Sequence, residues 1–131
     1  MVRGNHDIVL DPVAEKRNIK VVDSYNIGDV TITHGHKIIP NLGKVIVIGH
    51  EHPAISFRER KNERFKCFLL GKWKGKTLIV QPSFNLLAAG SDVTKGEFLS
   101  PFLKEGVSNF DVYVVEDGVR YFGKIKNVMG V

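Results

Sequence analysis

All five histidines of this 131-residue chain lie between His6 and His52, and the 79 residues that follow hold none. They fall in three short segments, Gly4-Asn5-His6-Asp7, Thr33-His34-Gly35-His36 and Gly49-His50-Glu51-His52, each carrying a glycine. A lone histidine is ordinarily a surface or satisfied core residue, but three glycine-flanked segments in this order point to a site. In extended backbone His50 and His52 project to one side and Glu51 to the other, the outline of a bidentate metal clip. Imidazole suits zinc, iron and manganese, and an asparagine oxygen adds a hard neutral ligand favoured by manganese-like ions. Asp7 follows His6 directly and reads as the partner that fixes its tautomer. His36 is the weakest member, because Gly35 can turn the chain away. Neutral donors alone make a poor cage: hydrolytic metal pairs need a bridging carboxylate to hold two cations about 3.5 to 4 Å apart, and no carboxylate of this chain is placed for that.

The elements that position these segments are mostly strands. Asp11 reads as the N-cap of a short helix, with Pro12 at its first position and an end near Asn18. Strands are expected at roughly 19 to 23, 29 to 34, 44 to 49, 53 to 60, 64 to 73, 76 to 81, 110 to 116 and 119 to 125. Within 29 to 34, alternation puts Val30, Ile32 and His34 on one face, so an apolar face ends in an imidazole. Asp117-Gly118 reads as a two-residue hairpin turn, Lys74-Gly75 and Lys61-Asn62 as weaker ones, and a short helix is expected around Glu97 to Leu103. No repeat or low-complexity linker divides the chain, so residues 1 to 131 read as one β-rich α/β domain.

Composition narrows the class. With 43% hydrophobic and 25% charged residues, long disorder and collagen-like repeats are excluded, and the single Cys67 excludes an internal disulfide. Cys67 reads as a small buried residue rather than a nucleophile. The longest apolar runs, such as Val45 to Ile48, are too short to span a bilayer, and no charged-then-apolar leader opens the chain. The expectation is a cytoplasmic protein with no membrane partner.

The ordered set Gly-Asn-His-Asp, His-Gly-His and Gly-His-x-His resembles the second half of the calcineurin-like metallophosphoesterase superfamily. Ile48-Gly-His-Glu-His-Pro-Ala-Ile55 with Gln81-Pro-Ser-Phe-Asn85 further resembles its archaeal and bacterial branch related to the DNA-ligase-associated phosphoesterases, over essentially the whole chain. The resemblance implies the C-terminal half of an α/β/β/α sandwich, and a metal-dependent hydrolysis of phosphodiesters or phosphomonoesters. It implies that Asn5, His34 and His50 bind a second metal, that His52 binds the first, and that His6 donates to the phosphoryl oxygen or the leaving group, with Asp7 beside it. The cofactor is then a divalent ion, Mn2+ before Zn2+, Fe2+ or Ni2+. The family's Asp-x-His and Gly-Asp-x-x-Asp motifs are absent, so the N-terminal half, with the bridging aspartate, is expected to be missing and the chain alone weak or inactive. The partners expected are a phosphoester substrate, nucleic acid among the candidates, and the missing half or a second copy.

Residues 58 to 76 carry eight Lys or Arg against two Glu, a local charge of +6 in a chain of +5. Phe57, Phe65, Phe68 and Trp73 are interleaved, so Arg64, Lys66, Lys72, Trp73 and Lys74 are candidates for following a phosphate backbone and stacking bases. A solvated hairpin whose lysines guard sheet edges is the plainer alternative. Asn85 is a further candidate on the substrate side. Two other function classes stay open: a metal-poor protein-interaction scaffold and a nucleic-acid-binding module without chemistry.

Overall fold

The computed structural model describes residues 1–129. In chain order the elements are α1 (Leu10–Lys16), β1 (Ser24–Ile27), β2 (Val30–Thr33), β3 (Val45–Ile48), β4 (Pro53–Phe57), β5 (Arg60–Trp73), β6 (Lys76–Val80), β7 (Ser91–Asp92), β8 (Asp111–Val115), β9 (Val119–Lys124) and α2 (Ile125–Met129). Single 3-10 turns occupy Val93–Lys95 and Pro101–Leu103. The result is a sheet-dominated α/β fold, and none of the described helices is long and apolar enough to cross a membrane.

The sheet follows the order β1-β2-β3-β6-β5-β4-β7, with β8 pairing both β5 and β9. β2, β3 and β6 run parallel. β5 is the spine: its first half pairs with β4, and its second half pairs with β6 and β8. At 14 residues it is unusually long for a strand. That length lets one strand serve two regions of sheet.

Alternation along the strands separates two faces. Thr31, Ile46, Leu78 and Gly71 form one cross-strand row on the covered side. There Ile46, Leu69, Leu78 and Val112 pack with Ile55, Phe102, Leu103 and Phe110 into the core. Gly71 is required at that point, because a Cβ would lie 2.3 Å from Phe110 Cδ1. Cys67 is in this core, fully covered, and burial pushes its thiol up to about 12. The opposite row, Tyr25, Ile32, Val47, Ile79 and Leu70, is equally apolar, but its members are half-buried or exposed.

On β2, Val30 and Ile32 share a face as alternation requires, but it is the half-buried one. Thr31 and Thr33, not Val30 and Ile32, take the buried side. The hydroxyls tolerate it because they are bonded: Thr31 Oγ1 donates to Asn26 Oδ1 at 2.7 Å and accepts from Gly43 N–H at 2.8 Å, while Thr33 Oγ1 donates to Asp23 O at 3.0 Å.

Other boundaries also move. The expected strand at 19 to 23 reduces to a single bridge between Val2 and Val22, and the strand pairing with β2 begins at Ser24. α1 starts at Leu10 behind Val9, without a side-chain cap, because Asp11 forks onto the Arg3 guanidinium instead. Lys74 and Gly75 both adopt left-handed backbone, φ 47° and 77°, and close a two-residue hairpin between Trp73 and Lys76. The Asp117-Gly118 turn is longer than expected, a three-residue loop in which Glu116 N–H donates to Gly118 O at 3.0 Å. Lys61-Asn62 lies inside β5, and the bend is at Arg58-Glu59. Of the helix expected at 97 to 103 only Pro101–Leu103 forms, capped by Ser100, and the last expected strand gives way to α2 at Ile125.

Candidate functional site

The parallel strands β2 and β3 end side by side, and the histidines follow directly: His34 after Thr33, and Gly49-His50 after Ile48. The crevice at the carboxyl ends of parallel strands is where open α/β sheets collect ligands. The backbone locks the two loops together, since Gly49 N–H and His50 N–H both donate to His34 O, at 3.0 and 2.8 Å. Gly35 is left-handed, φ 96°, and a Cβ on it would meet Ile48 Cβ at 2.6 Å, so only glycine lets the His34-Gly35-His36 loop lie on β3.

Asn5, His34 and His50 converge. His34 Nε2 lies 2.9 Å from Asn5 Oδ1 and 2.9 Å from His50 Nδ1. One ring nitrogen carries at most one proton, so it cannot donate to both neighbours. Burial, and then the neighbouring His50 and His36, lower the His34 pKa to about 4. Burial followed by His36 and His52 lowers that of His50. Both rings are therefore neutral near pH 7, with lone pairs available. Cis ligands on an octahedral cation with bonds of about 2.1 Å stand about 3.0 Å apart, which matches these separations.

The remaining candidates surround this trio. His6 Nε2 is 3.3 Å from Asn5 Nδ2, and the ring is exposed. Asp7 Oδ2 accepts the Gly4 N–H at 2.7 Å, so its carboxylate closes the turn that presents Asn5 rather than fixing the His6 ring. His52 is exposed with left-handed backbone, φ 51°. Its pairing with His50 as a flat extended clip fails, because the chain kinks at His52 itself. Among the described residues no three His, Cys, Asp or Glu side chains meet at one point; the convergent set needs the Asn5 amide.

Two residues add to the sequence reading. His36, set aside because of Gly35, sits beside the trio, with ring centroids 5.3 Å from His34 and 6.0 Å from His50, and its buried Nδ1 has no hydrogen-bond partner among the described residues. Glu51, between the two histidines, is 1% exposed. Its carboxylate accepts Leu99 N–H and Ser100 N–H, both at 2.9 Å, while Ser100 Oγ donates to Gly35 O at 2.6 Å. This network ties both histidine loops to the segment before the Pro101–Leu103 turn. A charged residue between two candidate ligands was the signal for it.

The basic hairpin divides. Arg64 donates to Gly90 O at 2.8 Å, and Lys66 Nζ donates to Ser83 O and Asn85 O, so both hold the 83–90 loop. Lys72 donates to Thr77 Oγ1 at 3.1 Å. Trp73 is no stacking platform: it is buried with its ring centroid 4.8 Å from that of Phe102, and Lys74 Nζ lies 4.9 Å from the Trp73 centroid. Asn85 Oδ1 accepts Leu87 N–H at 3.0 Å and is occupied within its own loop.

Comparison with known proteins gives a fold match. The crystal structure of the Pseudomonas putida nuclease MPE is similar over 92% of this chain, with a TM-score of 0.65 and 21% sequence identity. The chain spans about half of that nuclease, 51% of its length. Neither the protein-family descriptions nor the curated proteins give a match.

Proposed function

We propose that this chain is the imidazole-bearing half of a metal-dependent phosphodiesterase centre, the C-terminal half of a metallophosphoesterase sandwich. The observation that carries the reading is the contact of Asn5 Oδ1, His34 Nε2 and His50 Nδ1 at 2.9 Å spacings on the carboxyl edge of parallel strands. Similarity of fold to a nuclease supports it. Asn5, His34 and His50 would hold one divalent cation, Mn2+ before Zn2+, Fe2+ or Ni2+, and His52 would serve a second. Such cations, when bound, activate water and neutralise the charge developing on phosphorus.

The protein's own groups do the rest. Glu51, through Leu99 and Ser100, keeps the ligand loops in register. His6, exposed at the rim, gives its proton to the departing oxygen. Three neutral donors offset little of a divalent ion's lost hydration, so the carboxylates come from a second segment, the N-terminal half. The uncovered row Ile32, Val47, Ile79 and Leu70 offers that segment an apolar surface.

Titration of the purified chain with Mn2+ tests this. Weak, single-site binding is expected, abolished by His34→Ala and by His50→Ala, with negligible turnover of an aryl phosphodiester. A carboxylate-bearing N-terminal half added in trans restores turnover that His6→Ala removes. Mn2+ binding that survives both histidine changes refutes the assignment.

A further inference from the structure

Phe84, Leu86 and Leu87 are 92, 94 and 94% exposed, the most solvent-facing large apolar residues among those described. They sit on one short loop that is built rather than slack. Ser83 Oγ accepts Asn85 N–H at 3.1 Å, Asn85 Oδ1 accepts Leu87 N–H at 3.0 Å, and Asn85 O accepts Ala88 N–H at 3.2 Å. Lys66 grips its backbone from below at Ser83 O and Asn85 O. At its far end Arg64 holds Gly90 O, and Ser91 N–H donates to His52 O at 2.8 Å. The loop therefore rises from the rim of the histidine cluster.

The charge at its base selects the partner. Arg64 and Lys66 bond only to neutral carbonyls, and neither joins an ion pair among the described residues. Arg64, which lines one pocket with Asp92 and Glu97, and Lys66 both keep N–H donors to spare at the base of a loop that bears an aromatic and two aliphatic side chains. An apolar protein groove would leave those cations unpaired at its edge. Single-stranded nucleic acid satisfies both parts, with phosphates for the cations and unstacked bases for Phe84 and the leucines.

We propose that the loop from Ser83 to Ala88 is a base-contacting knob that positions a single-stranded nucleic acid beside the histidine cluster. The knob takes its substrate class from the phosphodiesterase reading, but its binding step needs no metal. The bases recognised are unpaired, and Phe84 stacks on them. Arg64 and Lys66, which hold the loop, also contact the flanking phosphates.

The probe is a fluorescein-labelled 20-mer of thymidylate, set against a 20-mer of abasic deoxyribose phosphate, in EDTA and low salt. Wild type is expected to bind the thymidylate strand roughly tenfold more tightly than the abasic one. Phe84→Ala with Leu86→Ser and Leu87→Ser is expected to bind both alike, and Phe84→Trp to keep the preference. Equal binding of the two strands by wild type overturns the proposal, as does a preference that survives the triple change. Sedimentation velocity provides a third outcome: self-association of wild type that the triple variant loses makes the knob a contact between copies and overturns it. Because metal is excluded, failure here leaves the Mn2+ titration standing, and failure of that titration leaves the knob standing.

Discussion

Leu69 and Leu70 are neighbours on β5, yet they face different surroundings. Leu69 is completely buried in the core beside Val112 and Val80, whereas Leu70 joins the half-buried row of Ile79, Val47 and Ile32 on the other side of the sheet. Both faces are apolar because β2, β3 and β6 are rich in Val and Ile, as strands covered on both sides are. Only one face receives its cover from the described residues, by way of Phe102, Leu103 and Phe110. The comparison teaches that hydrophobic sequence marks a surface meant to be covered, while the identity of the cover is a separate fact.

The largest expected effect tests that contrast directly. Leu69→Ala should cost about 2–5 kcal/mol in urea unfolding, the range for emptying a closed core site. Leu70→Ala should cost about 1 kcal/mol or less, since a half-exposed leucine loses little burial. Equal costs would mean the second face is closed in solution, by another copy or another segment. Concentration-dependent stability of the wild type would then reveal it.

Next in size is the buried carboxylate of Glu51. Glu51→Gln keeps the shape but removes the charge that the Leu99 and Ser100 N–H groups favour, so about 1–3 kcal/mol should be lost. Mn2+ affinity should fall with it if Glu51 holds the ligand loops. A change in stability without a change in affinity would confine Glu51 to packing.

The histidine cluster, at the edge between the two faces, gives a smaller effect with a definite sign. The folded His34 pKa, about 4, lies below its ordinary 6.5. Its contribution is therefore fully present above pH 6.5 and is lost as pH falls from there toward 4, because the unfolded chain takes up the proton first. Metal-free protein should lose stability across that window, and His34→Gln should flatten the loss. His34 is half-buried and exchanges at most one proton, so the slope is shallow.

On the same half-buried face, Ile32→Thr or Val47→Thr alone should each cost no more than Leu70→Ala, about 1 kcal/mol or less, and raise solubility. A large loss would again mean that this face is covered.

How much the sequence disclosed follows the same division between local and distant causes. Strand existence was legible along most of β2 to β9, because β-branched runs and turn residues act locally. Glycine-flanked segments at strand ends and turns led to the expectation that Asn5, His34, His50 and His52 converge; the first three are in contact, and His52 is exposed without a bond to them. What escaped depends on contacts far apart in sequence. The N-cap expected of Asp11 was lost to Arg3, the side of β2 that is buried is decided by Gly43 and Asn26, and the basic hairpin's Arg64 and Lys66 are engaged by a loop some twenty residues away. Trp73 looked available for stacking because nothing nearby announces Phe102. His36 was discounted because a glycine that turns the chain can also turn it back toward its neighbours.

Cys67 stands in register with Val114 near the middle of β5, where the spine passes from β4 to β6 and β8. Thiol-modifying reagents attack the thiolate. A thiol that is covered and held protonated to about 12 is silent toward them while the native fold persists. Each labelling event must therefore wait for the β5–β8 pairing to part. The chain carries a stopwatch at its own seam: the rate at which a maleimide consumes Cys67 times the opening of the strand on which both regions of sheet depend.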